Sequence, residues 1–223
     1  KLPHRDTSLY KFLIKAAELD GKLDIVVEQS IKLIELNLGD LKARMELGKI
    51  YMELDNYKQA LVEFKAIENR LETYPKLQFY MSKLYLLTDN IERAIELAKK
   101  EIKANPSAED GYILLGDIYQ KQKEYLNAEK EYKKAQKING ENVDMLVGLA
   151  KVNFKKSQYE ISLDLFKRAR VNDPGRAEIY KLLGDADRKT SQSSLAVETY
   201  KMFLELSPNS KYKDEINTYI RMM

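Results

Sequence analysis

A frame opened at Thr7 and advanced by 34 residues, to Leu41, Pro75, Glu109, Val143 and Ala177, sets like residues at like offsets six times without an insertion or deletion. The seventh position of each unit is Leu13, Leu47, Met81, Leu115, Leu149 and Leu183. The eighth is Ile14, Gly48, Ser82, Gly116, Ala150 and Gly184, small in five of the six. The twentieth is Val26, Ala60, Ala94, Ala128, Ser162 and Ala196, and the twenty-fourth Ser30, Phe64, Ala98, Tyr132, Phe166 and Tyr200. Proline stands at the thirty-second position in Pro106, Pro174 and Pro208. Self-similarity at such a period restricts a chain to a stack of supersecondary units, each too small to bury its own apolar surface.

Each column has a physical meaning. Apolar positions seven and eleven, then twenty, twenty-four and twenty-seven, are spaced by three or four residues, which gathers each set on one face of a helix. Every unit therefore predicts two amphipathic helices. Small residues at eight and twenty let their axes approach, and a ring at twenty-four fills the space toward the next unit. Proline cannot continue a helix and closes the repeat. Asp20-Gly21, Asp55-Asn56 and Asp89-Asn90 mark the turns between the paired helices, and Ser107 with Asp110 predicts a capping box at the start of the fourth unit. Strand alternation is absent.

The pattern resembles the tetratricopeptide repeat family, most closely in the second and fourth units, RMELGKIYMELDNYKQALVEFKAI and YILLGDIYQKQKEYLNAEKEYKKA. The departures are Ile14 in a small-residue column, the missing tryptophan at position four and Glu101 in an apolar slot. The resemblance implies an all-α fold, an α-solenoid wound as a right-handed superhelix of stacked helix-turn-helix repeats. The expected organisation is a lead-in over 1–6, repeats over 7–40, 41–74, 75–108, 109–142, 143–176 and 177–210, and a capping helix over 211–223. In that last segment Tyr212, Ile216, Tyr219 and Ile220 share one face, which also suits a helix that docks on a partner.

Composition narrows the function classes. With 44% apolar and 33% charged residues the chain has the make-up of a folded domain. Thirty-eight basic against 35 acidic residues leave a net charge of +3, too balanced for nucleic acid, and no run is long and apolar enough to insert into a membrane. The absence of cysteine excludes disulfides and thiolate metal sites and leaves the compartment open, the cytoplasm slightly favoured. The sequence opens at Lys1 and not Met, which reads as a processed protein or a segment of a longer one. A lone His4 outside the repeats, nine glycines and no phosphate-loop or zinc motif argue against an enzyme, a metal site or a cofactor.

The resemblance further implies a concave groove lined by the first helices, with side chains from positions two, five, nine, twelve and thirteen. Positions five and twelve supply Met45, Met52, Phe79, Leu86, Ile113, Val147 and Phe154, and position nine supplies Lys49, Lys83 and Lys151, with Lys15 before them and Asp117 and Asp185 interrupting. One reading is a groove for a protein or peptide partner that is apolar with acidic flanks. The other is ordinary packing between neighbouring first helices beneath solvated lysines. A second group, Lys121, Lys155, Lys156, Arg188 and Lys189, forms a basic edge at the ends of first helices, where it either complements helix dipoles or meets an acidic partner. The expected role is a non-enzymatic protein-interaction scaffold. Two alternatives stay open: a structural subunit of a larger assembly, and a regulatory domain of a longer multidomain protein.

Overall fold

The computed structural model describes residues 8–71 and 73–223; the lead-in over 1–6, with His4, lies outside them. The described residues form thirteen α-helices and no strand. They pair as α1 (Ser8–Leu19) with α2 (Leu23–Leu36), α3 (Leu41–Glu53) with α4 (Tyr57–Glu68), and α5 (Leu77–Leu87) with α6 (Ile91–Ala104). Then come α7 (Glu109–Lys121) with α8 (Tyr125–Ile138), α9 (Val143–Lys155) with α10 (Tyr159–Asn172), and α11 (Ala177–Lys189) with α12 (Ser193–Leu206), followed by α13 (Lys213–Met222). The chain divides into two compact units, 1–101 and 102–223.

The turn inside every hairpin has one construction. The fifteenth residue of each 34-residue frame, Gly21, Asp55, Asp89, Lys123, Ser157 and Ser191, has φ between 57° and 68°, the left-handed region. The next N–H then reaches back to the carbonyl of position eleven, as from Asn56 to Tyr51 at 2.7 Å, Glu124 to Tyr119 at 2.9 Å and Gln192 to Asp187 at 2.9 Å. These bonds satisfy carbonyls that a helix end leaves unpaired. Other ends are capped by side chains: Asp40 accepts from the Ala43 N–H at 2.9 Å, and Asn142 from the Met145 N–H at 3.1 Å. The capping box expected of Ser107 and Asp110 does not set the start of α7. Ala108 is the residue before the helix there, and the Glu109 carboxylate instead accepts from Asn139 and Asn142 at 3.1 and 3.4 Å.

Packing follows the columns. A Cβ added at Gly48 would come 2.4 Å from the Phe64 ring, at Gly116 2.7 Å from Tyr132, and at Gly184 2.6 Å from Tyr200, so the ring of each second helix lies flat on the backbone of its first. At position four of the fourth and sixth units a tyrosine replaces the family's tryptophan and its hydroxyl ties back to the preceding proline carbonyl, Tyr180 to Pro174 at 3.0 Å and Tyr112 to Pro106 at 3.4 Å. Within the second unit α8 packs on α9 and α10 on α11, while α7 also touches α9 and α9 touches α11. Among the described residues the second helices α8, α10 and α12 make no such contact with one another. The first-helix side is thus the tighter, inner side of that stack. Its last hairpin is closed by α13, whose Ile216 is buried with Tyr200 and Phe203 and whose Tyr219 meets Tyr200 edge-on at 5.6 Å.

Candidate functional site

In the first unit, α3 and α5 lie side by side and carry the residues expected to face a partner. Met45 and Met52 are buried, packed with Phe64, Leu77 and Met81, so they belong to the interior of the stack. Phe79 and Leu86 are half-buried and Lys83 is exposed. These three are spaced i, i+4 and i+7, which lines them along one face of α5. Phe79 is steadied by an edge-on contact with Tyr80 at 5.2 Å. Lys49 sits 2.6 Å from Glu46 and 5.4 Å from the Tyr80 ring centre. Burial works to lower its ammonium pKa, but the bond to Glu46 prevails and holds it above the ordinary lysine value.

The second unit repeats this arrangement with different degrees of closure. Ile113 and Val147 are buried, whereas Phe154 is half-buried, edge-on to Tyr159 at 5.2 Å. Lys151 on α9 reaches Glu178 on α11, and Arg176 bonds the same carboxylate at 3.0 Å. Burial alone would raise Glu178; Lys151 and Arg176 together keep it below the usual carboxylate value.

The two aspartates that interrupt the lysine ladder have a structural partner. Tyr132 donates to Asp117 at 2.5 Å and Tyr200 to Asp185 at 2.7 Å. Position nine is Asp in the two units where position twenty-four is Tyr, and Lys in the four where it is Phe, Ser or Ala. Burial first, then the adjoining carboxylate, raises the Tyr132 phenol far above its ordinary value, so it stays a hydrogen-bond donor. This coupling of two columns fifteen residues apart was legible in the sequence, but only to a reader who already knew that the two positions touch.

The basic edge is split. Lys121, Lys155, Arg188 and Lys189 stand in the last turns of α7, α9 and α11, where they complement the helix dipoles. Lys156 pairs with Glu129, whose carboxyl is held below the usual range by Lys133 and Lys156. Arg188 lies 4.3 Å from the Tyr219 ring centre and reaches the Tyr200 hydroxyl at 3.5 Å, which fastens α13 to the stack. Lys155 and Lys189 are exposed.

A cleft absent from the sequence-based expectations opens in the first unit, between α1 and α3 and above α2. It measures about 480 Å³ and is lined by Ile14, Ser30, Leu33 and Ala43 with Lys11, Lys15 and Lys42 around them. The signal for it was Ile14 in a column otherwise small, together with Ser30 in a column that holds a ring in four of the six units.

The hairpins, their left-handed turns and their glycine-on-ring packing agree with the tetratricopeptide repeat, and that family's profile matches residues 109–142, the span of α7 and α8. Residues 109–142 are thus a tetratricopeptide repeat, and the described residues have the fold of a tetratricopeptide solenoid. Solved structures of the same fold include the APC/C hetero-tetramer Cut9–Hcn1, at a TM-score of 0.83 and 12% identity over 99% of this chain and 43% of that one. PilF of Pseudomonas aeruginosa superposes at 0.74 and 14% identity over 95% and 96% of the two chains. Among curated proteins, the formate-dependent nitrite reductase complex subunit NrfG of Escherichia coli O157:H7 is 23% identical over 53% of this chain and 61% of its own length. A DnaJ homolog subfamily C member 7 homolog of Dictyostelium discoideum is 27% identical over 65% of this chain and 28% of its own. The chain thus spans less than two thirds of these relatives. The tetratricopeptide fold is a scaffold for protein–protein interaction and generally non-catalytic. Among the described residues no cluster of His, Asp or Glu could hold a metal ion, and no helix is long and apolar enough to cross a membrane.

Proposed function

We propose that this chain is a non-enzymatic scaffold that holds a peptide or domain of a partner protein in a concave groove along the first helices of its repeats, with residues 7–210 acting as six repeats and 211–223 as their cap. The observation that carries this reading is the stripe of Phe79, Lys83 and Leu86 on α5: two large apolar side chains left half open on a first helix, with a solvated cation between them. Phe154 and Lys151 on α9 offer the same pairing in the second unit. Lys49 takes part from the flank of the stripe, and Lys121, Lys155, Lys156, Arg188 and Lys189 offer a basic edge to acidic segments. Met45, Met52, Ile113 and Val147 support the groove from beneath. Position nine holds no asparagine, which disfavours capture of a chain-terminal carboxylate by paired lysine and asparagine. Apolar anchors then supply most of the affinity, and the lysines steer an acidic flank.

Phe79→Ala tests the reading. It is expected to weaken capture of a native partner by about 2 kcal/mol or more, the size of an interface hot spot, at unchanged helical content. Met52→Ala should instead cost about 2–5 kcal/mol of stability, as deletion of a buried methionine does. Unaltered binding by the Phe79 variant overturns the groove assignment. A second reading, a subunit held permanently in a larger assembly, draws support from relatives named as a reductase complex subunit and as a type IV pilus assembly protein. A partner that never dissociates during purification would favour it.

A further inference from the structure

The geometry points to a pocket for a partner's aromatic side chain followed by an acidic residue, seated between α1 and α3 in the first unit. This rests on the peptide-holding reading above and names one subsite of it. In the second, fourth and sixth hairpins the gap beside the first helix is filled from within by the ring at position twenty-four, lying on a glycine at position eight. Tyr132 shows how far that ring reaches. It touches Gly116 on its own first helix and Gly148 on the next, where an added Cβ would fall 2.5 Å away. The ring therefore plugs the seam between consecutive first helices.

The first hairpin exchanges the two sizes. Ser30 stands where the ring should be and Ile14 where the glycine should be. The branched side chain of Ile14 starts from α1 and occupies space near that helix, while Ser30 is too short to reach from α2 to α3. The α3 side of the seam stays open as the cleft of about 480 Å³, within the range of about 300–1,000 Å³ for ligand pockets. Its accessible floor is Ile14 and Ala43, both half-buried, over the buried Ser30 and Leu33, and this is the surface an aromatic ring would cover.

The rim sets the flank. Asp40 is engaged, accepting from the Ala43 N–H at 2.9 Å and lying 4.0 Å from Lys11, and Glu46 is bound to Lys49 at 2.6 Å. Among the described residues Lys15 and Lys42 have no carboxylate partner, against one such acid on the rim, Glu18. The available charge is cationic, so the pocket favours a carboxylate beside the ring. An internal acidic side chain supplies it; a terminal carboxylate would call for the asparagines that position nine lacks.

The test is a nitrogen–proton NMR titration of the full chain with acetyl-Gly-Phe-Asp-Gly-amide. Shifts are expected at the amides of Ser30 and Ala43. Exchanging the peptide's Phe for Ala should weaken binding about tenfold, as loss of a buried anchor does. Exchanging its Asp for Asn should weaken it about threefold at low salt. The double substitution Ile14→Gly with Ser30→Phe restores the internal plug and should abolish the shifts while leaving melting unchanged or raised. Equal binding of the Ala peptide, tighter binding of N-acetyl-phenylalanine than of the capped peptide, or retained binding by a folded plugged variant overturns the pocket. Those failures with Phe79-dependent capture intact would leave the groove reading standing; loss of Phe79 dependence with the pocket intact would do the reverse.

Discussion

Replacing Gly116 by alanine adds one methyl group at the closest approach of α7 and α8. In an exposed helix interior the change would be favourable by about 0.8–1 kcal/mol, because glycine is the poorer helix former. Here the new Cβ would lie 2.7, 2.9 and 2.9 Å from three atoms of the Tyr132 ring. The ring cannot simply retreat. Its far side rests on Gly148, and its hydroxyl is held by Asp117 at 2.5 Å. Overpacking of this kind costs about 1–3 kcal/mol. The net loss, after the helix-propensity gain, is up to about 2 kcal/mol, or a fall in Tm of roughly 2–4 °C for each kcal/mol in a chain of this length. Leucine at the same position should cost more. The assay is thermal and urea unfolding of Gly116→Ala beside Gly175→Ala, where an added Cβ meets only Asp173 Oδ1 at 3.9 Å and the effect should stay within about 0.5 kcal/mol. Tyr132→Phe frees the ring from Asp117, so in that background the alanine should cost less, with a coupling of about 0.5 kcal/mol or more. A Gly116→Ala variant as stable as wild type, or more so, would refute the account of the small-residue column.

Removal of residues 211–223 should uncover Tyr200 and Phe203 and take away the Tyr219 ring on which Arg188 rests. Aggregation by light scattering is the expected outcome, and a monodisperse truncation of equal Tm would contradict the capping role. Asp187 is buried, with Oδ2 accepting from Thr199 at 3.2 Å and Oδ1 without a partner. Burial raises its carboxyl pKa against the opposing pull of Thr199, Lys167 and Arg170. A carboxyl raised in the fold contributes its stability below its ordinary pKa and loses it as pH climbs through the raised value. Asp187→Asn should accordingly raise Tm at neutral pH and leave it unchanged at about pH 3, where the carboxyl is protonated in both states. A lower Tm at neutral pH would show that the charge stabilises the fold. Lys49→Glu with Lys83→Glu should slow association with an acidic partner and flatten its salt dependence, whereas Lys130→Glu with Lys134→Glu on α8 should do little. The opposite pattern would move the interface to the second helices.

The period, the pairing of helices and the small-against-large columns were all determined by the sequence, because a hairpin that cannot bury its own faces must present the same apolar set to each neighbour. Gly48 beneath Phe64 and Gly184 beneath Tyr200 follow from column size alone. The left-handed turns at Gly21, Asp55 and Asp89 carried a residue signal, but those at Lys123, Ser157 and Ser191 did not; there the hydrogen-bonded turn imposes a conformation that the side chain does not prefer. The tertiary structure alone decided which groove positions are interior. Position five is Met45 and buried in α3, where Leu77 and Met81 of α5, one whole repeat away in sequence, pack with it, yet it is Phe79 and half-open in α5. The same holds for the empty seam above Ser30. Its two determinants are sixteen residues apart and ordinary in themselves, and only their meeting across α1, α2 and α3 makes a cavity.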